Sequence, residues 1–162
     1  TVLEQGRTLP GFIGDIGYAQ SNRERYEGFC QALTDAGKKV DSSLCLTTPL
    51  GIDTYREEID TFLSSLSRMP DAFVCASDYV ACILMQLLEK RGLRVPEDVA
   101  VSGFDNNTED LLAEHLTTVQ VFNEELGARL ALQILYRIKY PNTPHEITYL
   151  GTNVLYRDST GD

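Results

Sequence analysis

Hydrophobic and polar positions follow one another along the chain in blocks that predict a repeated strand and helix order. The clearest block is residues 70–106. Its apolar run at residues 72–75 has the length of a strand buried on both faces. Over residues 79–90 apolar side chains recur at helical spacing, and Gly92 follows as a stop signal. Residues 99–103 form the next apolar run, so the block predicts a strand, a crossover helix and a parallel strand.

The same order continues on both sides of this block. Further strands are predicted at residues 9–13 and 44–46, helices at 22–36, 54–66 and 123–140, a short helix or turn at 108–115, and extended runs at 116–121, 146–150 and 152–156. Ser21 or Asn22 is expected to cap the first helix, and Thr54 with Glu57 forms a capping box for the second. The fold class is therefore α/β, a mostly parallel sheet flanked by helices, in a single domain over residues 1–162.

Polar residues stand after each predicted strand. Junctions near Ser21, Thr48, Ser77 and Asp105 meet at one edge of a parallel sheet, and ligands bind there. Ser77 can donate or accept a hydrogen bond, Asp105 offers two acceptor oxygens, and Arg25 supplies only donors. This set of groups suits a polyhydroxylated small molecule.

Each of these residues also has a structural interpretation. Arg25 can be a solvated or ion-paired arginine, although a cation near the start of a helix gains nothing from the helix dipole. Asp105 can be a turn-forming aspartate before Asn106. Asp78 is expected to be a helix cap rather than a ligand contact.

Length and charge narrow the function class. The chain has 162 residues with 43% hydrophobic content, which is enough for one proper core. The formal net charge of −10 argues against the chain holding a phosphate backbone by itself, so any DNA contact is expected elsewhere. No apolar run has the length that spans a bilayer, which together with the absence of a secretory signal favours the cytoplasm and no membrane partner. Residues 1–5 are interpreted as the last turn of a helix that begins upstream.

Catalytic, metal and cofactor motifs are not found. The four cysteines lack paired Cys-x-x-Cys spacing and are expected to be reduced, and the two histidines lie far from them in sequence. Gly11, Gly14 and Gly17 do not have dinucleotide-binding spacing. The chain is therefore predicted not to be an enzyme, with no cofactor, no metal and no catalytic residue.

Several motifs resemble the effector-binding region of the LacI/GalR transcriptional regulators. They are PDAFVCASDYVA, GLRVPEDVAVSGFDN and LTTV, with weaker similarity from EQGRTLPGFIGD and SNRERYEGFCQAL to LYRDST. The resemblance implies one lobe of a type I periplasmic-binding-protein-like fold, the carboxyl-terminal part of that region, with the first half of such a regulator missing. It also implies that the helix in segment 122–140 packs in the other lobe.

The resemblance further implies a small polar effector, with a sugar as the default and a purine or nucleoside as the alternative. Arg25 in SNRERYEGF and Asp105 in GFDN match effector-contacting positions of the family, and the predicted effector-binding set is Ser21, Arg25, Ser77 and Asp105.

By the same resemblance the regulator is a homodimer that binds DNA only through an amino-terminal domain missing here. The outer face of helix 79–91, with Cys82, Met85 and Gln86, is the expected dimer interface, although Cys82 can equally be a core residue. The alternative function is a sugar-binding protein of an uptake system, which an export signal would distinguish.

Overall fold

A four-stranded parallel sheet forms the centre of the computed structural model, which describes residues 2–51, 53–106 and 111–161. Its strands are β1 (Pro10–Ile13), β2 (Cys45–Leu46), β3 (Ala72–Cys75) and β4 (Ala100–Ser102), in the order β2-β1-β3-β4. Ile13 pairs with both Leu46 and Cys75, so the strands end nearly level with one another. We call this end of the sheet the carboxyl edge. The predicted α/β class and parallel strands are confirmed.

Three helices connect these strands as the sequence pattern predicts. They are α1 (Gln20–Asp35), α2 (Tyr55–Ser65) and α3 (Asp78–Lys90). Helices α2 and α3 pack with one face of the sheet in the larger core, which includes Ile59, Leu63 and Phe73. Helix α1 packs through Phe29 and Leu33 against Phe12. The apolar faces of these helices thus pack against the apolar strands, as the sequence pattern predicts.

Helix α3 is the most deeply buried helix. Its buried residues are Asp78, Val80, Ala81, Cys82, Ile83, Leu84, Leu87 and Leu88. Complete burial of one leucine side chain contributes about 1.5–3 kcal/mol, so this helix supplies much of the hydrophobic stabilisation of the fold. The start of this well-packed helix lies at the carboxyl edge.

Two predicted capping interactions are not formed. Helix α1 begins at Gln20 with Ala19 as its N-cap, because the Asn22 amide instead donates to the carbonyl of Asp15, 2.9 Å away. Helix α2 starts after Thr54, its N-cap residue, as predicted, but the capping box with Glu57 is not formed. The Thr54 hydroxyl donates to Glu58, one residue further on, at 2.6 Å.

The second half of the chain extends the sheet. Isolated parallel bridges join Ser102 to Thr117 and Asp105 to Gln120, and β5 (Thr118–Gln120) pairs with β6 (Asn153–Leu155) in an antiparallel ribbon. The predicted extended run 152–156 thus contains a strand, whereas the run 146–150 is not part of a strand. The predicted turn at 108–115 is a 3₁₀ helix at Leu111–His115, and residues 108–110 lie outside the described residues.

Helix α4 (Asn123–Lys139) differs from the other three because none of its residues is buried. It begins after Phe122, without a side-chain cap from Asn123, so that predicted cap is wrong. The predicted apolar side is present but exposed: Leu130 is 56% and Ile134 is 51% accessible. No described helix combines the length and apolar character needed to cross a bilayer.

Candidate functional site

The loop after β1 is organised by a buried carboxylate that sequence reasoning did not assign. One oxygen of Asp15 accepts hydrogen bonds from the backbone of Gly17 at 2.8 Å and Tyr18 at 3.0 Å. The other accepts from the backbone of Leu50 at 3.3 Å, which joins the loops after β1 and β2. A Cβ at Gly14 would lie 2.2 Å from the Cβ of Ala76, so this glycine permits close approach of β1 and β3.

Arg25 lies at the centre of the carboxyl edge. Its guanidinium donates to the carbonyl of Ala76, and its Nη2 lies 3.2 Å from Oδ1 of Asp105. The guanidinium carbon also stands 3.7 Å above the centre of the Phe104 ring, a cation–π contact. The Arg25 guanidinium has five N–H groups and contacts two acceptors among the described residues, so it keeps donors for a ligand. Arg25 and Asp105 are thus brought together as the sequence predicts.

Asp105 is held in an unusual conformation and environment. Its φ is 111° and that of Asn106 is 50°, both in the left-handed half of the map that non-glycine residues rarely adopt. The backbone N–H of Asp105 donates to the carbonyl of Val119 at 2.9 Å. Burial raises the pKa of the Asp105 carboxyl, and Asp78 raises it further, while the charge and hydrogen bond of Arg25 oppose both. The site therefore holds a carboxylate whose charged form is only partly compensated.

Ser77, rather than Asp78, caps helix α3. Ser77 is the N-cap of α3, and its Oγ accepts from the backbone of Val80 at 3.4 Å. Asp78 is not the cap but the first helical residue, and it is buried. The Thr118 hydroxyl donates to its carboxylate at 2.6 Å, so Asp78 ties the start of α3 to β5.

The predicted residues lie at different distances from the Arg25 and Asp105 pair. Ser77 directly follows Ala76, whose carbonyl accepts from Arg25. Ser21 lies exposed in the first turn of α1, one turn before Arg25 and on the same helix face. The four predicted effector residues therefore lie along the carboxyl edge, with Arg25 and Asp105 in direct contact.

Three further residues complete the edge and were not predicted as site residues. Phe104 supplies the ring beneath Arg25, and Asn106 follows Asp105 with its side chain hydrogen bonded to Arg157 at 2.9 Å. Phe104 and Asn106 belong to the GFDN motif, so their place in the motif was the available signal. Arg157 belongs to the more weakly similar motif LYRDST, but its contacts could not be predicted because its partners are more than 40 residues away in sequence.

The residues expected at a dimer interface are distributed between core and surface. Cys82 is buried within the chain, whereas Met85 and Gln86 are half-buried. The side-chain oxygen of Gln86 accepts from Arg56 of α2. A cavity of about 340 Å³ lies here between α2 and α3, lined by residues that include Tyr55, Arg56, Tyr79, Cys82 and Gln86. An interface on this face would therefore involve Met85 and Gln86, with Cys82 behind them.

Metal and thiol chemistry find no support among the described residues. Over residues 2–51, 53–106 and 111–161, no group of three or more His, Cys, Asp and Glu side chains could hold a metal ion. Cys30, Cys45, Cys75 and Cys82 are free cysteines, which agrees with the sequence interpretation. Burial raises the pKa of the Cys45 thiol to about 11, so this thiol is protonated at neutral pH.

Comparison with known proteins gives a consistent relationship. Residues 1–160 match the family model of the periplasmic binding protein-like domain. The chain is 35% identical over 129 residues to the HTH-type transcriptional regulator DegA of Bacillus subtilis, covering 78% of this chain and 37% of DegA. The chain spans half or less of the length of the curated relatives it matches.

Solved structures agree with this relationship. A LacI-family regulator of Sanguibacter keddieii superposes with a TM-score of 0.84 at 27% identity, covering 99% of this chain and 61% of the other. A complex of the transcriptional regulator CelR with cellobiose superposes with a TM-score of 0.85 at 28% identity, covering 98% of this chain and 48% of CelR.

Proposed function

The chain belongs to the periplasmic binding protein-like domains of LacI-type transcriptional regulators, and from this premise we propose that it binds a sugar effector at its carboxyl edge. The observation that carries the proposal is the contact between Arg25 and Asp105 over the Phe104 ring. Donors and acceptors thus lie side by side where the strands of an α/β sheet end. Vicinal sugar hydroxyls, each able to donate and accept, match this arrangement.

The sugar class is supported by a relative. The regulator CelR, which is similar to this chain, was solved in complex with cellobiose. A purine or nucleoside is the alternative ligand class, because the same polar groups can bind its ribose hydroxyls or base edges. The relatives are named as transcriptional regulators, which favours a regulator over the sugar-uptake protein that the sequence left as the alternative.

In this proposal the chain is one lobe of a larger regulator. The segment 122–140 packs in a second lobe outside this chain, which accounts for the exposed apolar side of α4. DNA is contacted through an amino-terminal domain outside this chain, in agreement with the net charge of −10 on these 162 residues. A regulator of this kind acts as a homodimer in the cytoplasm.

The test is a titration of the ¹⁵N-labelled chain with cellobiose, followed by amide chemical shifts, which also detect weak binding. We expect saturable shifts at Ser77, Asp105 and Asn106. Arg25→Met keeps the apolar stem over Phe104 but removes the donors, and Asp105→Asn removes the charge. Each is expected to weaken cellobiose binding at least tenfold, in line with the loss of a charged hydrogen bond of about 1.5–3 kcal/mol.

Arg23→Met is the matched control, because Arg23 is an exposed arginine two residues earlier on the same helix. It should leave cellobiose binding unchanged. Shifts with inosine but not with cellobiose would replace the sugar by the nucleoside class. Equal binding by the Arg25→Met and Arg23→Met variants would show that the carboxyl edge is not the site.

A further inference from the structure

Arg157, in the last part of the chain, reaches the back of the carboxyl edge. Its guanidinium donates to the carbonyls of Ala113 and Leu116, each at 3.0 Å, and to Oδ1 of Asn106 at 2.9 Å. These three acceptors engage three of the five N–H groups of a half-buried arginine and fix its head in one position. The fixed guanidinium therefore restricts the position of the Asn106 side chain.

Asn106 is held at a second point as well. Its backbone N–H donates to the hydroxyl of Thr118 at 3.3 Å, and that hydroxyl donates to the buried Asp78 at 2.6 Å. Asn106 and Asp105 both have positive φ, a pair of conformations that must be maintained by surrounding contacts. The direction of the Asp105 side chain depends on these two dihedral angles, because it branches from the same backbone.

From these contacts we infer that Arg157 is a positioning residue of the effector site, which holds Asn106 so that the Asp105 carboxylate faces Arg25. Its relevance to effector binding rests on the proposed function, whereas the contact between Asn106 and Arg157 does not. The segment that follows α4 thus helps to shape the site that residues 21–106 provide.

Ser159, two residues after Arg157, has a purely structural role, so it can serve to separate stability from positioning. The buried Ser159 hydroxyl donates to the carbonyl of Val101 at 2.7 Å and accepts from the backbone of Thr117 at 2.8 Å. These bonds hold the carboxyl-terminal segment on β4. None of them involves Asn106, so Ser159→Ala is the matched control for loss of stability alone.

The test measures how far Arg25 lowers the pKa of the Asp105 carboxyl, so the proton is the probe and no sugar is needed. The Asp105 carboxyl carbon is followed by ¹³C NMR against pH in the 162-residue chain. Arg25→Met should raise the pKa of Asp105, because the charge and hydrogen bond of Arg25 lower it. The same pKa difference, with and without Arg25→Met, is then measured in three backgrounds that carry Arg157→Ala, Asn106→Ala or Ser159→Ala.

In the Arg157→Ala and Asn106→Ala backgrounds, Arg25→Met is expected to raise the pKa of Asp105 by less than half as much as in the parent chain. In the Ser159→Ala background the pKa increase should be as large as in the parent chain. Asn106→Ala leaves both carbonyl contacts of Arg157 in place, so it decides the question if the Arg157→Ala chain does not fold. An undiminished increase with Asn106→Ala overturns the inference, as does an equal reduction with Ser159→Ala. Because no sugar is used, a failure to bind cellobiose rejects the proposed function without affecting this result.

Discussion

At the scale of single residues, the carboxyl edge combines features that do not favour stability. Asp105 has a φ of 111° and a carboxylate whose burial is only partly offset by Arg25. Binding sites commonly retain such unfavourable groups because a ligand compensates them. The raised pKa of Asp105 therefore agrees with a functional role for this carboxylate and gives a way to test its effect on stability.

We predict that Asp105→Asn increases the stability of the chain at neutral pH. The folded pKa of Asp105 lies above its unfolded value, so the charged form is disfavoured by folding. This penalty is fully present above the folded pKa, decreases as the pH falls through it, and is absent below the unfolded value of about 3.8. Asparagine carries no charge at any pH and tolerates positive φ better than most residues.

The measurement is urea unfolding of the parent and Asp105→Asn chains at pH 7 and at about pH 3. The variant should be the more stable chain at pH 7, and the difference should shrink at the lower pH. Asp53→Asn, at an exposed aspartate, is the control. A less stable variant at pH 7 would mean that attraction to Arg25 outweighs the burial of the charge.

The same residues show what sequence reasoning can and cannot find. Parallel topology predicted that the junctions near Ser21 and Asp105 meet at one edge of the sheet, and the family resemblance singled out Arg25 and Asp105 as effector contacts. The stacking of Arg25 on Phe104 and the positive φ of Asp105 could not be predicted, because no local sequence pattern signals either of them. Arg157 contacts Asn106 across 51 residues, and such pairing depends on the whole fold.

At the scale of helices and strands, periodicity was a more reliable guide than capping, although Ser77 and Thr54 are N-cap residues. The predicted strand at 72–75 is β3, and the helix predicted from residue 79 to 90 is one residue longer at its start. Predicted caps failed where a polar side chain had a tertiary partner, as when Asn22 donates to Asp15. Periodicity reflects burial along a whole element, whereas a cap depends on one side chain that has alternative acceptors.

Helix α4 gives the prediction at this scale. The double substitution Leu130→Gln and Ile134→Gln should change the free energy of unfolding by no more than about 0.5 kcal/mol, as is usual for surface positions. Both side chains are more than half exposed, and glutamine has good helix propensity. Leu88→Ala in the core of α3 is the contrasting control and should cost about 2–5 kcal/mol.

Urea unfolding followed by circular dichroism measures both variants. If the α4 variant lost nearly as much free energy of unfolding as Leu88→Ala, that result would contradict the exposed placement of α4. That result would show that α4 packs on a surface of its own or of another copy in solution.

At the scale of the whole molecule, the chain presents two surfaces with different expected partners. One is the exposed apolar side of α4, which we propose to lie against a second lobe. The other is the outer face of α3, where Tyr79 is 62% exposed and contacts the ring of Tyr55 edge-on at 5.7 Å. Only the second surface is continuous with the core of this lobe, because α3 is also its most buried helix.

We predict that the chain forms a dimer through the outer face of α3 and that Gln86→Lys weakens it. In a two-fold interface the substitution occurs once in each copy, so two new lysines enter the interface, each beside Arg56 of its own chain. Sedimentation velocity should show a shift toward monomer for Gln86→Lys and none for the Leu130→Gln and Ile134→Gln variant. The opposite pattern, a monomer only when α4 is altered, would assign self-association to α4 and leave α3 as an ordinary core helix with a solvated outer face.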